Sequence, residues 1–110
     1  MISINEYFVD KSPQTLIEGD KPVYVLTVPG VTTVTNDGTL AMYVYKKNTD
    51  VTSTCTTGSI SSSGNVVTLK TIQSLVGGNN YVVSVFGTAD GIFRCLGAIQ
   101  LDVRRKSALQ

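Results

Sequence analysis

The chain has 110 residues, 42% of them hydrophobic and 15% charged, with a formal net charge of +1; one domain with a sizeable core is expected and intrinsic disorder is excluded. Basic and acidic residues are scattered along it, which removes the long-range field that would draw nucleic acid or anionic lipid. So few charges also leave apolar surface uncovered, and a partner surface is expected.

Short apolar runs recur with turn chemistry between them, a rhythm that predicts an all-β, two-sheet antiparallel sandwich of seven to eight strands. Residues 1–12 stand outside that rhythm and are read as an arm or added edge strand. Within them Ile2, Ile4, Tyr7, Phe8 and Val9 form a candidate interface with a neighbouring subunit. The start lacks a basic n-region followed by an apolar core, so no secretory signal is expected. No apolar run approaches the roughly 18 residues of a membrane span.

The sandwich itself is expected over residues 13–104, with 105–110 as a short tail. Thr15 to Glu18 forms a short strand closed by Gly19-Asp20, and Pro22 to Val28 a second, starting on a proline where a missing N–H does least harm. Leu40, Met42 and Val44 share a face against Ala41, Tyr43 and Tyr45, which reads as a central strand. Val51 to Thr54 reads as an edge strand, since threonine suits a strand with one wet face. Val66 to Ile72 follows the turn-prone run Ser61 to Asn65.

Asn80 to Phe86 is rich in β-branched and aromatic residues, and Asp90-Gly91 suits the positive φ of a hairpin turn. Ile92 to Arg104 is then its antiparallel neighbour. Period-two alternation puts Phe93, Cys95, Gly97, Ile99, Leu101 and Val103 on the buried side of that strand, and Arg94, Gln100, Asp102 and Arg104 on the other. Arg104-Arg105-Lys106 reads as a solvated end to the strand.

Histidine is absent, which removes the commonest general base near neutral pH and the commonest zinc ligand. Cys55 and Cys95 show no metal-ligand spacing; they could pair, though thiols in a domain of this size more often pack as small hydrophobes. Asp20, Asp37, Asp50 and Asp90 all fall in turns, where aspartate bonds nearby backbone amides. Gly77-Gly78 lacks the following Lys-Ser/Thr of a phosphate loop. No catalytic residue, metal or cofactor is expected, and the chain is read as a non-enzyme. The five tyrosines could build a sugar-stacking platform, although the alternation sends some of them inward.

Leu75, Gly78 and Tyr81 sit three apart and lead into alternating valines, the spacing of a tyrosine corner between two sheets. The ring of Tyr81 is expected beneath the crossing loop, with its hydroxyl on a backbone group a few residues upstream. Taken with Glu18-Gly19-Asp20, Met42-Tyr43-Val44-Tyr45-Lys46, Gly64-Asn65-Val66-Val67-Thr68-Leu69, Asp90-Gly91 and Leu101-Asp102-Val103, the order of strands and turns resembles the immunoglobulin-like accessory domains of tailed-bacteriophage virions. The N-terminal domain of phage baseplate upper proteins is one such domain.

That resemblance implies a virion structural protein, assembled in the host cytoplasm, that docks in many copies on capsid, neck or tail. Its partners would be other virion proteins and copies of itself, without nucleic acid or membrane. The alternative is an extracellular or cell-surface binding module that recognises a protein or glycan.

Overall fold

The computed structural model describes residues 2–3 and 14–105. Its strands are β1 (Ile2–Ser3), β2 (Gln14–Ile17), β3 (Val25–Thr27), β4 (Ala41–Lys46), β5 (Thr49–Asp50), β6 (Thr56–Thr57), β7 (Ser61–Ser63), β8 (Val66–Thr68), β9 (Thr71–Ile72), β10 (Asn79–Ala89) and β11 (Ile92–Arg104), with one helical turn, α1 (Thr52–Cys55). The protein is therefore all-β. Among the described residues the strands number eleven, not the expected seven or eight: Val66–Ile72 divides in two and the short strands β5, β6 and β7 are added, while the Pro22 segment is shortened. Pro22 has no N–H to give a ladder, so only Val25–Thr27 of its segment is regular strand. The Pro22 and Tyr24 carbonyls still accept from Ile72 and Leu69 at 3.0 Å. Val66–Ile72 divides at Leu69-Lys70, where the Lys70 N–H turns to the Met42 sulfur, 3.2 Å away.

Four strands pair in the order β1-β3-β8-β7, five in the order β2-β11-β10-β4-β5, and β6 pairs with β9 as a separate ladder. Wholly antiparallel pairing in two sheets is thus corrected: β1 joins β3 and β2 joins β11 in parallel, and the β6–β9 ladder is a third unit. Both parallel pairs join strands far enough apart in sequence to allow the long connection that parallel pairing requires. Alternation supplies the core. Tyr81, Val83 and Val85 of β10, Ile99, Leu101 and Val103 of β11, and Met42 and Val44 of β4 form one buried cluster with Leu26 of β3 and Val67 of β8. The inner faces of the two larger sheets therefore share one apolar core, compatible with a sandwich.

The expected edge strand Val51–Thr54 is helical. Asp50 Oδ1 accepts from the Thr52 N–H at 2.9 Å and from the Thr52 hydroxyl at 2.7 Å, and Val51 O accepts from Thr54 and Cys55. Local side-chain bonding of this kind outweighs the modest strand preference of threonine. The turn also seals β4 beyond the end of its short neighbour β5: the Val44 N–H donates to Thr52 Oγ1 at 2.8 Å, and Val44 O accepts from the Val51 N–H. Ser61–Ser63, expected as turn, is strand instead, and the turn itself shrinks to Gly64-Asn65, with Gly64 at φ 60°. Cys55 at the end of α1 is buried in the core, and that burial raises its thiol pKa.

At the entrance to β10 the chain crosses from the region of β9 to the five-stranded sheet. Tyr81 is 2% exposed and Leu75 is buried beside it in the same cluster. The Tyr81 hydroxyl accepts from the Val76 N–H at 2.9 Å, which satisfies a partly buried donor that the loop cannot pair by itself. Gly78 takes φ 83° and donates to Val103 O at 2.7 Å. A side chain at Gly77 would bring its Cβ within 2.7 Å of the Arg105 Cα, so the strand end packs directly on that glycine. Tyr81→Phe keeps the ring and removes the acceptor; it should cost about 1–2 kcal/mol, read as a lower urea midpoint at unchanged slope.

The opposite end of the same strand pair closes on Asp90-Gly91, at φ 48° and 84°, a two-residue turn of the primed kind that fits strand twist. The Asp90 carboxylate reaches away from its own turn and accepts from the Thr32 and Thr33 N–H groups at 3.1 and 3.0 Å. Its own N–H donates to Thr33 O, and Thr35 donates to Thr88 O. The segment around Val31–Val34 is thereby pinned to the hairpin tip. The bonds from Thr32 and Thr33 lower the Asp90 pKa, with Arg94 adding to the effect. A lowered folded pKa stabilises above the ordinary carboxylate range and is lost as pH falls through the folded value. Asp90→Asn should therefore lower Tm at pH 7, and thermal scans of the two proteins should converge in strong acid.

Candidate binding face

The pairing of β10 with β11 carries one irregularity that reassigns half a strand. Val85 lies opposite Gly97 but Phe86 lies opposite Cys95, so Leu96 is an extra residue in β11. A bulge of this kind sets two residues against one and reverses the alternation beyond it. Leu96 turns into the core at 0% exposure, whereas Phe93, expected on the buried side, is 61% exposed. Cys95 moves with Phe93 to the outer face, and Arg94, expected outside, lies opposite Gly87, whose row faces inward. Glycine at position 87 leaves the room Leu96 needs: a Cβ there would stand 3.1 Å from the Leu96 Cδ1.

The reversal gathers aromatic side chains on the outside of the five-stranded sheet. Tyr43 of β4 meets Phe86 of β10 edge to face, centroids 5.9 Å apart, and Phe86 stacks with Phe93 of β11 at 6.3 Å and 20°. Both are favoured aromatic geometries. With Tyr45 and Ser84 they line a groove of about 460 Å³. Tyr43 and Tyr45 keep 39% and 37% of their surface open. These tyrosines point outward because Met42 and Val44 take the core side of β4.

Charge is confined to the margin. The outward rows read Tyr45, Val82, Gln100, then Tyr43, Ser84, Ala98, then Ala41, Phe86, Cys95, then Thr88 and Phe93, with no ionisable acid or base of Asp, Glu, Lys or Arg type among them. Lys47 and Asp102 line a separate hollow beyond Val82 and Gln100, and Asp50 and Lys70 flank Tyr43. The centre of this face is thus aromatic and free of charge, and both signs of charge lie at its rim.

The other expected site residues lie elsewhere. Leu75, Gly78 and Tyr81 meet at the corner described above, Leu75 and Tyr81 buried and Gly78 exposed. Of the candidate N-terminal interface, Ile2 belongs to β1, opposite Leu26, while Ile4, Tyr7, Phe8 and Val9 lie outside the described residues. Lys106 does too. Arg104 ion-pairs with Asp102 at 3.4 Å on the surface, and Arg105 packs on Gly77. Asp20, Asp37 and Asp50 accept backbone N–H groups within their own turns; Asp90 alone among the four bonds a distant segment. Among the described residues no three His, Cys, Asp or Glu side chains gather where they could hold a metal ion. No helix of the described residues is long and apolar enough to cross a membrane.

The bulge and strict alternation make opposite forecasts for two residues. Leu96→Ala should cost about 2–5 kcal/mol through the cavity it leaves, while Phe93→Ser should cost under about 1 kcal/mol as a surface change; chemical denaturation of the two variants checks the order. Compared with protein families, with curated proteins and with solved structures, the chain has no match.

Proposed function

We propose that this chain is a non-enzymatic structural domain of a tailed-bacteriophage virion, docking in many copies on capsid, neck or tail and stabilising it. The observation that carries this reading is the neutral, aromatic outer face of β4, β10 and β11 inside its mixed-charge rim. Charge depletion and exposed tyrosine and phenylalanine suit docking on a protein surface. A chain without histidine also lacks the side chain most used for acid–base work at neutral pH.

An immunoglobulin-like assignment of the fold supports the same reading. The orders β3-β8-β7 and β11-β10-β4 follow the strand sequence B-E-D and G-F-C of that fold, and Tyr81 stands near the start of the strand equivalent to F. The parallel pairings of β1 and β2 are added at the sheet edges.

A cell-surface module that binds glycan is the second reading, favoured by the Tyr43, Tyr45, Phe86 and Phe93 platform with hydroxyls on Tyr43, Tyr45 and Ser84. Immunogold labelling of purified virions with antibody against the chain tests the first: regular labelling of capsid, neck or tail is expected. Unlabelled virions, with a specific hit on a glycan array, would transfer the assignment to the second.

A further inference from the structure

We propose that the β4–β10–β11 outer face is the surface through which two copies of this chain pair, about a two-fold axis passing near Ser84. The inference deepens the multi-copy reading above and rests on it for the expectation that copies meet. The argument for a second copy as occupant is electrostatic and geometric.

A two-fold interface places every residue near the axis beside its own duplicate, so a charge there would face the same charge. From the row of Tyr45, Val82 and Gln100 to Phe93, the outward side chains carry no Asp, Glu, Lys or Arg. Such a centre meets itself without like-charge repulsion. The rim is self-compatible as well: Lys47 stands with Asp102 at one end, and Asp50 with Lys70 beside Tyr43, so each rim site offers both signs to an approaching copy.

The size of the face sets the strength. Six residues of β10 pair with β4, and at about 3.4 Å per residue and about 4.8 Å per strand the three strands present a field roughly 20 Å long and 15–20 Å wide with side chains. That is about 300–400 Å² per copy before the rim is added, below the roughly 800 Å² per partner of a standard stable interface. The pair is therefore weak, forms at high concentration, and is strengthened where many copies are held side by side on one surface. The position of Ser84 on the middle strand of the three, between Tyr43 and Ala98, makes it the probe of the axis. An arginine there can lie along the sheet with its head in water, so the fold is expected to tolerate it.

Light scattering after size exclusion, loaded from about 10 µM to about 1 mM to span weak association, should show the mass rising from 11.7 kDa toward twice that value. Ser84→Ala should behave in the same way. Ser84→Arg and Ser84→Glu should each stay monomeric with an unchanged far-ultraviolet circular dichroism spectrum, and an equimolar mixture of the two should regain the doubled mass, because opposite charges then meet across the axis. A wild-type chain that stays monomeric throughout, Ser84→Arg dimerising like wild type, or a mixture of folded variants that stays monomeric would each overturn the proposal. A monomeric chain that still decorates virions overturns this pairing and leaves the structural role standing; a dimer absent from virions does the reverse.

Discussion

The antiparallel ladder between β10 and β11 is the constraint on which both the interior and the candidate binding face depend. From Asn79 opposite Val103 to Ala89 opposite Ile92, one side of the ladder supplies much of the buried cluster and the other carries the exposed aromatic rings. Period-two geometry ties the two sides together. Any residue added to one strand exchanges the sides beyond it, and Leu96 is such a residue. Because of it, the core gains a leucine and the surface gains Phe93.

Each end of this ladder is held by a polar side chain that serves a donor the ladder cannot reach. At the entry to β10, the Tyr81 hydroxyl takes the Val76 N–H; at the hairpin, the Asp90 carboxylate takes two amides from the Thr32–Thr33 segment. An unpaired buried donor costs more than a formed bond gives. The Tyr81 bond therefore contributes chiefly by allowing its loop to lie against the core, whereas Thr32 and Thr33 are exposed and the Asp90 bonds tie their segment to the hairpin tip. Edges are treated by the same logic, with Thr52 and Val51 closing β4 where β5 stops. At the β7 edge, Ser61–Ser63, the Ser62 hydroxyl donates to Val34 O at 2.8 Å.

The face and the core answer to different demands on the same strands. Val83 and Val85 are chosen by the apolar interior they fill, whereas Ser84 and Phe86, at the alternate positions, need only tolerate the sheet surface. Neutral side chains along that whole outer field are therefore not imposed by folding. Their uniformity is what sets the face apart, since a solvated sheet face ordinarily carries charges.

How much of this was legible in the residues depended on whether the cause was local. The β class, the inward rows of β4 and β10, the Asp90-Gly91 turn and the corner residues follow from alternation and turn chemistry, which act within a few positions. The aromatic face was not legible, because strict alternation sends Phe93 inward; the nearest signal is Gly97 within the unbroken apolar run Cys95 to Ile99, a composition that suits a bulge. The helical turn at Thr52 was hidden by its threonines, and the parallel edges left no sequence mark at all. Alternation and turns are properties of neighbouring residues, so the sequence by itself determined an all-β chain with a buried and an open side to each strand. Which side Phe93 occupies depends on the register between β10 and β11, and register is a relation between strands that only the tertiary structure decides.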